Sequence, residues 1–396
     1  MEMKCEVEKE MDSLRPAKFS RRSLLAGGAA IAAGLAAETL TGHSAAAQTN
    51  KADHITGRGS LKAHASRHRL LAGTAVNVRA LRTQPEYARV LAEQYDLVVA
   101  ENEMKWGPLR PTPTTYFFTD ADELMAFAAK HKMKVRGHNL CWHAQLPTWF
   151  HSTVTKENAQ RFLVDHITTV AGRYRGKIRA WDVVNEAVQV SDGRPDGLRN
   201  GPWMKLLGPE YIDIAFHTAR KADPHALLTY NDYGVENSSE DDTKKRAAVL
   251  ALMRGMKARN TPLDALGIQS HIHAGGSFGS GLRDFMASAR DMGLKIFLTE
   301  MDVNEDKLPY DDVARGDQAV ADTYRDYLTL TLANPALTDV LTWGFTDKYT
   351  WLAGGFRRKN PNHPQRPLPF DANYQPTPAF FAIRDAFDHR NTSSNA

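Results

Sequence analysis

Eight short apolar, β-rich runs recur along this chain, separated by amphipathic helical stretches, and that alternation leaves few folds open. The runs occupy residues 71–76, 97–101, 134–138, 178–185, 227–230, 265–270, 295–300 and 340–345. The segments between them carry helix signals. Thr155 is expected to cap a helix whose Ala159, Phe162, Leu163, His166, Ile167 and Val170 recur on one face at a 3.6-residue period. Parallel strands need crossovers of a dozen or more residues, usually helices. Eight such units over about 320 residues predict a single α/β domain, a (β/α)8 TIM barrel spanning 66–390. An open doubly wound sheet is the alternative, and it is disfavoured because no G-x-G-x-x-G or G-x-x-x-x-G-K-[ST] follows an early strand.

A chain of 396 residues with 42% hydrophobic side chains can bury such a core. Its formal charge of +4 is mild and evenly spread, which argues against a nucleic-acid partner. Residues 1–47 read as an export signal of the twin-arginine type. Arg21-Arg22 precede a Gly/Ala-rich apolar run reaching Leu35, and Ala45-Ala46-Ala47 offers a small-residue cleavage site. A membrane anchor is the weaker reading, because the uncharged run from Ser23 to Ala37 falls short of the roughly 18–20 residues a spanning helix needs. The mature protein is therefore expected in the periplasm or outside the cell, off the membrane, and as a monomer. Residues 48–65 read as a flexible, solvated lead-in and 391–396 as a polar tail. Of the two cysteines, Cys5 leaves with the signal and Cys141 sits in an apolar run, so a small buried thiol is expected rather than a disulfide or a nucleophile.

In a (β/α)8 barrel the active site forms where strands end, so polar residues closing apolar runs are the informative ones. Here those residues are Glu101-Asn102 with Lys105, then His138 with Trp142 and His143, then Asn185-Glu186. The fifth run leads to Asn231-Asp232-Tyr233, the sixth to Gln269-Ser270-His271, the seventh to Glu300, and the eighth to Trp343 with Trp351 beyond it. Carboxylates, amides, imidazoles and indoles around one mouth suit a sugar-binding cleft, since amides and carboxylates bond hydroxyls and indole faces stack on pyranose C–H faces. Glu186 and Glu300 each close a strongly apolar strand. Glycoside cleavage needs one protonated and one ionised carboxyl, because the leaving oxygen takes a proton while the oxocarbenium-like centre needs negative charge. Once an ionised Glu300 becomes a neutral glycosyl ester, its repulsion on Glu186 disappears and Glu186 gives up a proton more readily, becoming a base. A lone strand-end glutamate is about as often an ion-paired structural group. A whole ring of such strand ends is not.

Other readings are weaker. His271-x-His273, with His138 and His143, has ligand-like spacing, but no Asp, Glu or His set completes a shell more naturally than the sugar-binding reading does, so neither a metal nor a cofactor is expected. Trp106, Trp149 and Trp203 read as packing. Asn231 and Tyr233 are possible substrate contacts, and Asp232 and Asp302 are expected to orient their neighbours.

At these residues the chain resembles glycoside hydrolase family 10, the endo-β-1,4-xylanases, over about residues 70–388. Trp181-Asp182-Val183-Val184-Asn185-Glu186-Ala187 resembles the family's acid/base strand, and Thr299-Glu300-Met301-Asp302 its nucleophile strand. The resemblance implies that Glu186 is the acid/base, Glu300 the nucleophile, and Asn185 a contact to the sugar 2-hydroxyl. Gln269-Ser270-His271 is similar to the sixth-strand motif, which implies that His271 hydrogen-bonds Glu300. Glu101, Asn102 and Lys105 match the glycone-side contacts. Gly137-His138-Asn139-Leu140-Cys141-Trp142-His143-Ala144-Gln145-Leu146-Pro147 resembles the run that brings His138, Trp142 and Gln145 to the cleft. Trp343 and Trp351 resemble its floor. The implied activity is endo-hydrolysis of β-1,4-xylan with retention of configuration, with xylo-oligosaccharides as partners. The alternatives are a retaining β-1,4-glucanase and a non-catalytic xylan-binding barrel.

Overall fold

The computed structural model describes residues 55–309, 312–353 and 364–390, and each of the eight expected runs contributes a strand. By its contacts the chain divides into residues 1–47 and 48–396. The export signal and the polar tail both lie outside the described residues. The strands are β1 (Leu71–Val76), β2 (Leu97–Ala100), β3 (Lys134–His138), β4 (Ala180–Asn185), β5 (Leu227–Asp232), β6 (Ala265–Ile268), β7 (His271–His273), β8 (Lys295–Asn304) and β9 (Leu337–Thr342). All pairings between these strands are parallel. From β1 to β6 each strand lies beside the next, β6 pairs β8, β8 pairs β9, and β9 returns to β1. That closes an eight-stranded barrel, and β7 adds a short extension paired with β8 at the mouth.

Several boundaries differ from the expectation for identifiable reasons. The run at 265–270 is not one strand. Ser270 takes a left-handed φ of 65°, and its N–H donates to Glu236 Oε1 (2.9 Å) rather than to a ladder. β5 and β8 continue past their apolar runs into the polar residues that pair across the mouth. The last strand begins at Leu337 and stops before Gly344, whose φ of 90° suits glycine and turns the chain away.

Register shifts in β4 and β8 set the phase of the barrel's inner face. Along β4, Ala180 and Asp182 point inward while Trp181 joins the outer core. Between Asp182 and Val184 the register against β5 shifts, so Val183 and Val184 both pack outward and Asn185 turns inward again. β8 has a second shift between Leu298 and Met301, which spans Thr299 and Glu300. An extra residue re-aims the side chains that follow it. Both proposed catalytic strands are therefore re-phased just where their glutamates emerge.

Helices bury the outer face. Helix Ala159–Arg173 packs Ala159, Phe162, Leu163, His166, Ile167 and Val170 inward, as its periodicity requires. Each large apolar side chain so buried contributes about 1.5–3 kcal/mol. Thr155 does not cap this helix. Asn158 holds the cap position, and its Oδ1 accepts from the Thr155 N–H at 2.8 Å. The lead-in expected to be solvated is also partly structured: Leu61–Ser66 is a helix with Leu61 and Ala65 buried, and His64 pairs with Asp388 at 2.8 Å.

Candidate active site

The nucleophile candidate sits on β8, inside the mouth. Glu300 is buried, and Asn231 at the end of β5 donates to its Oε1 at 2.8 Å. His271 Nε2 lies 3.2 Å from the other oxygen, while His271 Nδ1 lies 2.9 Å from Asp302 Oδ1. Carboxylate oxygens only accept, so satisfying both contacts requires an imidazolium. Burial opposes that charge, but the Asp302 and Glu300 carboxylates outweigh it and raise the His271 pKa to about 10. Burial likewise opposes the Glu300 charge, yet the His271 hydrogen bond and the charges of His138 and His271 lower its pKa to about 2. Glu300 is thus fixed as an anion.

Beneath it, Arg136 grips Asp182 inside the barrel, and Asp182 Oδ2 accepts from His138 Nδ1 at 2.9 Å. His138 in turn stands 4.0 Å from Glu300 Oε1. Gly267 makes room for this layer, since a Cβ there would meet Asn231 Oδ1 at 2.3 Å and Arg136 Nη2 at 3.1 Å.

Glu186 follows β4 in a left-handed conformation, with φ of 58°. A non-glycine residue held there stores on the order of 1 kcal/mol of strain, which neighbours must sustain. Its N–H donates to Asn231 O at 2.8 Å, and its carbonyl accepts from Arg199 Nε at 2.7 Å. The carboxyl meets neutral donors: Gln269 Nε2 at 3.0 Å and Asn185 Nδ2 at 3.3 Å, both on Oε1. His143 Nδ1 lies 3.8 Å from Oε2. Burial, helped by Arg199, lowers the His143 pKa to about 3, so that imidazole is neutral. An amide chain joins the two glutamates: Asn231 Nδ2 contacts both Glu300 Oε1 and Asn185 Oδ1 (2.9 Å), and Gln269 Nε2 contacts both Asn185 Oδ1 (3.3 Å) and Glu186 Oε1.

The expected cleft residues gather around this pair. Lys105 Nζ donates to Asn102 Oδ1 (3.0 Å) and lies 5.3 Å and 5.7 Å from the ring centroids of Trp142 and Trp343. Burial lowers the Lys105 pKa, while Glu300, Glu101 and Glu186 support its charge. Glu101 Oε2 accepts from Asn77 at 3.4 Å, and burial raises its pKa. Trp343 packs edge-on against His138, and Trp351 against His271, with its indole N–H donating to Asp302 Oδ2 at 2.6 Å. Tyr233 accepts from Arg199 Nη2 at 3.1 Å, with Lys245 Nζ 3.8 Å from its ring centroid. Gln145 is placed by its backbone, its carbonyl accepting from Gly107, and no described contact ties its amide to either glutamate.

Cys141 is a buried free thiol whose pKa burial raises, and Trp106 and Trp203 are core. His273 pairs with Asp306 at 3.0 Å rather than joining His271. Sequence reasoning undervalued Asn231, which touches Glu300 directly, and missed Arg199, Asn77 and Lys245. Asn231 was legible as a strand-end amide. Arg199 lies on the return arm of a long loop with nothing local in the sequence to mark it.

The description of glycosyl hydrolase family 10 matches residues 60–386. The chain belongs to that family. It is 35% identical over 307 residues to endo-1,4-β-xylanase B of Thermotoga neapolitana, covering 77% of this chain and 84% of that one. It is 36% identical over 307 residues to a β-1,4-xylanase of Dictyoglomus thermophilum, covering 75% and 83%. Xylanase 10B of Thermotoga petrophila, solved in complex with xylobiose, superposes with a TM-score of 0.76 at 34% identity, covering 83% of this chain and 97% of that one. The family membership and the closed barrel agree.

Proposed function

We propose that this family 10 glycoside hydrolase is an endo-acting β-1,4-xylanase that cleaves with retention of configuration, Glu300 attacking and Glu186 serving as acid and then base. One observation carries the reading: the glutamates share an amide bridge, yet one is locked against an imidazolium while the other meets only neutral hydrogen-bond donors. In the first step Glu300 bonds to the anomeric carbon as the glycosidic C–O bond breaks and Glu186 protonates the leaving oxygen. In the second, water bonds to that carbon, the ester bond breaks and the water's proton passes to Glu186. Neutralising Glu300 in the ester favours this reversal. The relatives' names and the xylobiose complex of the Thermotoga petrophila enzyme support xylan as substrate. Residues 1–47 are proposed to direct export, on the strength of Arg21-Arg22 and the apolar run behind them.

The test incubates the purified mature enzyme with glucuronoxylan and, separately, soluble β-1,4-glucan, with and without chelator, and follows reducing ends and early products. Short xylo-oligosaccharides released from xylan alone, indifferent to chelator, are expected. Activity mainly on glucan overturns the substrate, and xylan binding without cleavage overturns catalysis.

A further inference from the structure

We propose that Arg199 is a positioning residue for Glu186, holding the backbone of the acid/base in its left-handed turn and setting a positive charge beside its carboxylate. The inference rests on the acid/base role proposed for Glu186. Arg199 stands on the return arm of the loop after β4, where Val188 and Leu198 form an antiparallel bridge. Its own N–H donates to Ala187 O at 2.6 Å and its Nε to Glu186 O at 2.7 Å, so one residue bonds both carbonyls of the turn. The other edge of the guanidinium is fixed by Gln189 Oε1 at 3.3 Å and Tyr233 OH at 3.1 Å, which leaves Nη2 3.9 Å from Glu186 Oε2.

The remaining charged groups around Glu186 do not duplicate it. His143 is the other basic side chain within 4.0 Å among the described residues, and it is neutral. Lys105 lies further off, drawn to Asn102 and lodged between Trp142 and Trp343. Lys245 is paired with Asp232 at 2.8 Å. Asp232 adds negative charge beside the guanidinium. As Glu186 hands its proton to the leaving oxygen, the carboxylate it becomes faces Arg199, which stabilises the developing charge. Opposite charges at about 4–6 Å favour the ionised form, so loss of the cation moves the alkaline limb of the pH–rate profile upward.

The experiment compares Arg199→Met, Arg199→Lys and Glu186→Ala with the wild type. Each is assayed on xylan and on an aryl β-xylobioside with a highly activated leaving group, across pH. Glu186→Ala tests the underlying role: as acid/base it loses far more on xylan than on the aryl glycoside, and equal losses sink that role whatever Arg199 does. With that role standing, Arg199→Met is expected to lose about 10- to 100-fold in kcat/KM on xylan. It should lose much less on the aryl glycoside, and its alkaline limb should move to higher pH. Arg199→Lys is expected to restore the limb while recovering only part of the rate, since lysine lacks the fork that reaches Glu186 O and Tyr233 together. Equal losses on both substrates with an unmoved limb, at a melting temperature lowered to match, would reduce Arg199 to a loop brace and overturn the proposal.

Discussion

The two glutamates occupy opposite kinds of surroundings. Glu300 lies on a strand, buried, within 3.2 Å of a donor on each oxygen and inside a lattice of charge running through His271 to Asp302 and past His138 to Asp182 and Arg136. Glu186 lies one residue beyond its strand, with two amide donors on one oxygen and only distant partners, at 3.8 Å and 3.9 Å, on the other. A group that must stay ionised benefits from dense, strand-borne pairing. A group that must gain and lose a proton each turnover benefits from weak partners and an open oxygen.

The sharpest way to break this contrast is to neutralise each carboxylate. Glu300→Gln is expected to reduce kcat/KM on every substrate by about 10⁴-fold or more, whatever the leaving group, because no bond to the anomeric carbon can form. Comparable activity in steady-state assays on xylan would remove Glu300 from its role. Next comes its partner. His271→Asn is expected to lower kcat/KM about 100-fold and to move the acidic limb to higher pH, since a carboxyl held near 2 is released toward its ordinary range and must ionise before it can attack. An acidic limb unchanged in the variant would contradict the pairing.

The same pair makes a stability statement. The His271 pKa is raised from 6.5 to about 10 in the fold, so its contribution is full below pH 6.5 and is lost as pH climbs to about 10. The gap in melting temperature between wild type and His271→Asn should therefore narrow over that window. A constant gap argues that the imidazolium is not formed. Smallest in rate, but informative about packing, is Gly267→Ala. Its Cβ collides with Asn231 and presses on Arg136, and overpacking of this kind costs about 1–3 kcal/mol, readable by thermal melting. An unchanged melting temperature would mean that the inner layer has slack.

Much of this was legible in the sequence because strand ends of a parallel barrel converge, so polar residues closing apolar runs identify a site without any knowledge of distances. Glu186, Glu300, His271, Gln269, Asn185, Trp142, Trp343 and Trp351 were found in that way, and the family motifs added Gln145. What sequence could not show depends on geometry off the alternation. The bulges at Val183 and at Thr299-Glu300 break the in-out pattern that strand reading assumes. The left-handed Ser270 breaks the chain between the strand ending at Ile268 and the one starting at His271. Arg199 reaches Glu186 only because a 13-residue excursion folds back on itself, and no periodicity marks a loop residue. Thr155 failed as a cap because Asn158, three residues on, made a turn first.

Covalent trapping addresses the central division of labour most directly. The enzyme is incubated with an activated 2-deoxy-2-fluoro xylobioside, whose fluorine slows both steps while the good leaving group lets the first proceed, and the labelled peptide is sequenced by mass spectrometry. The expected result is one xylobiosyl unit per chain, attached to Glu300 and slowly released as the β-anomer. A label on Glu186, or direct release of the α-anomer with no covalent adduct, would contradict the assignment of a locked nucleophile and a free acid/base.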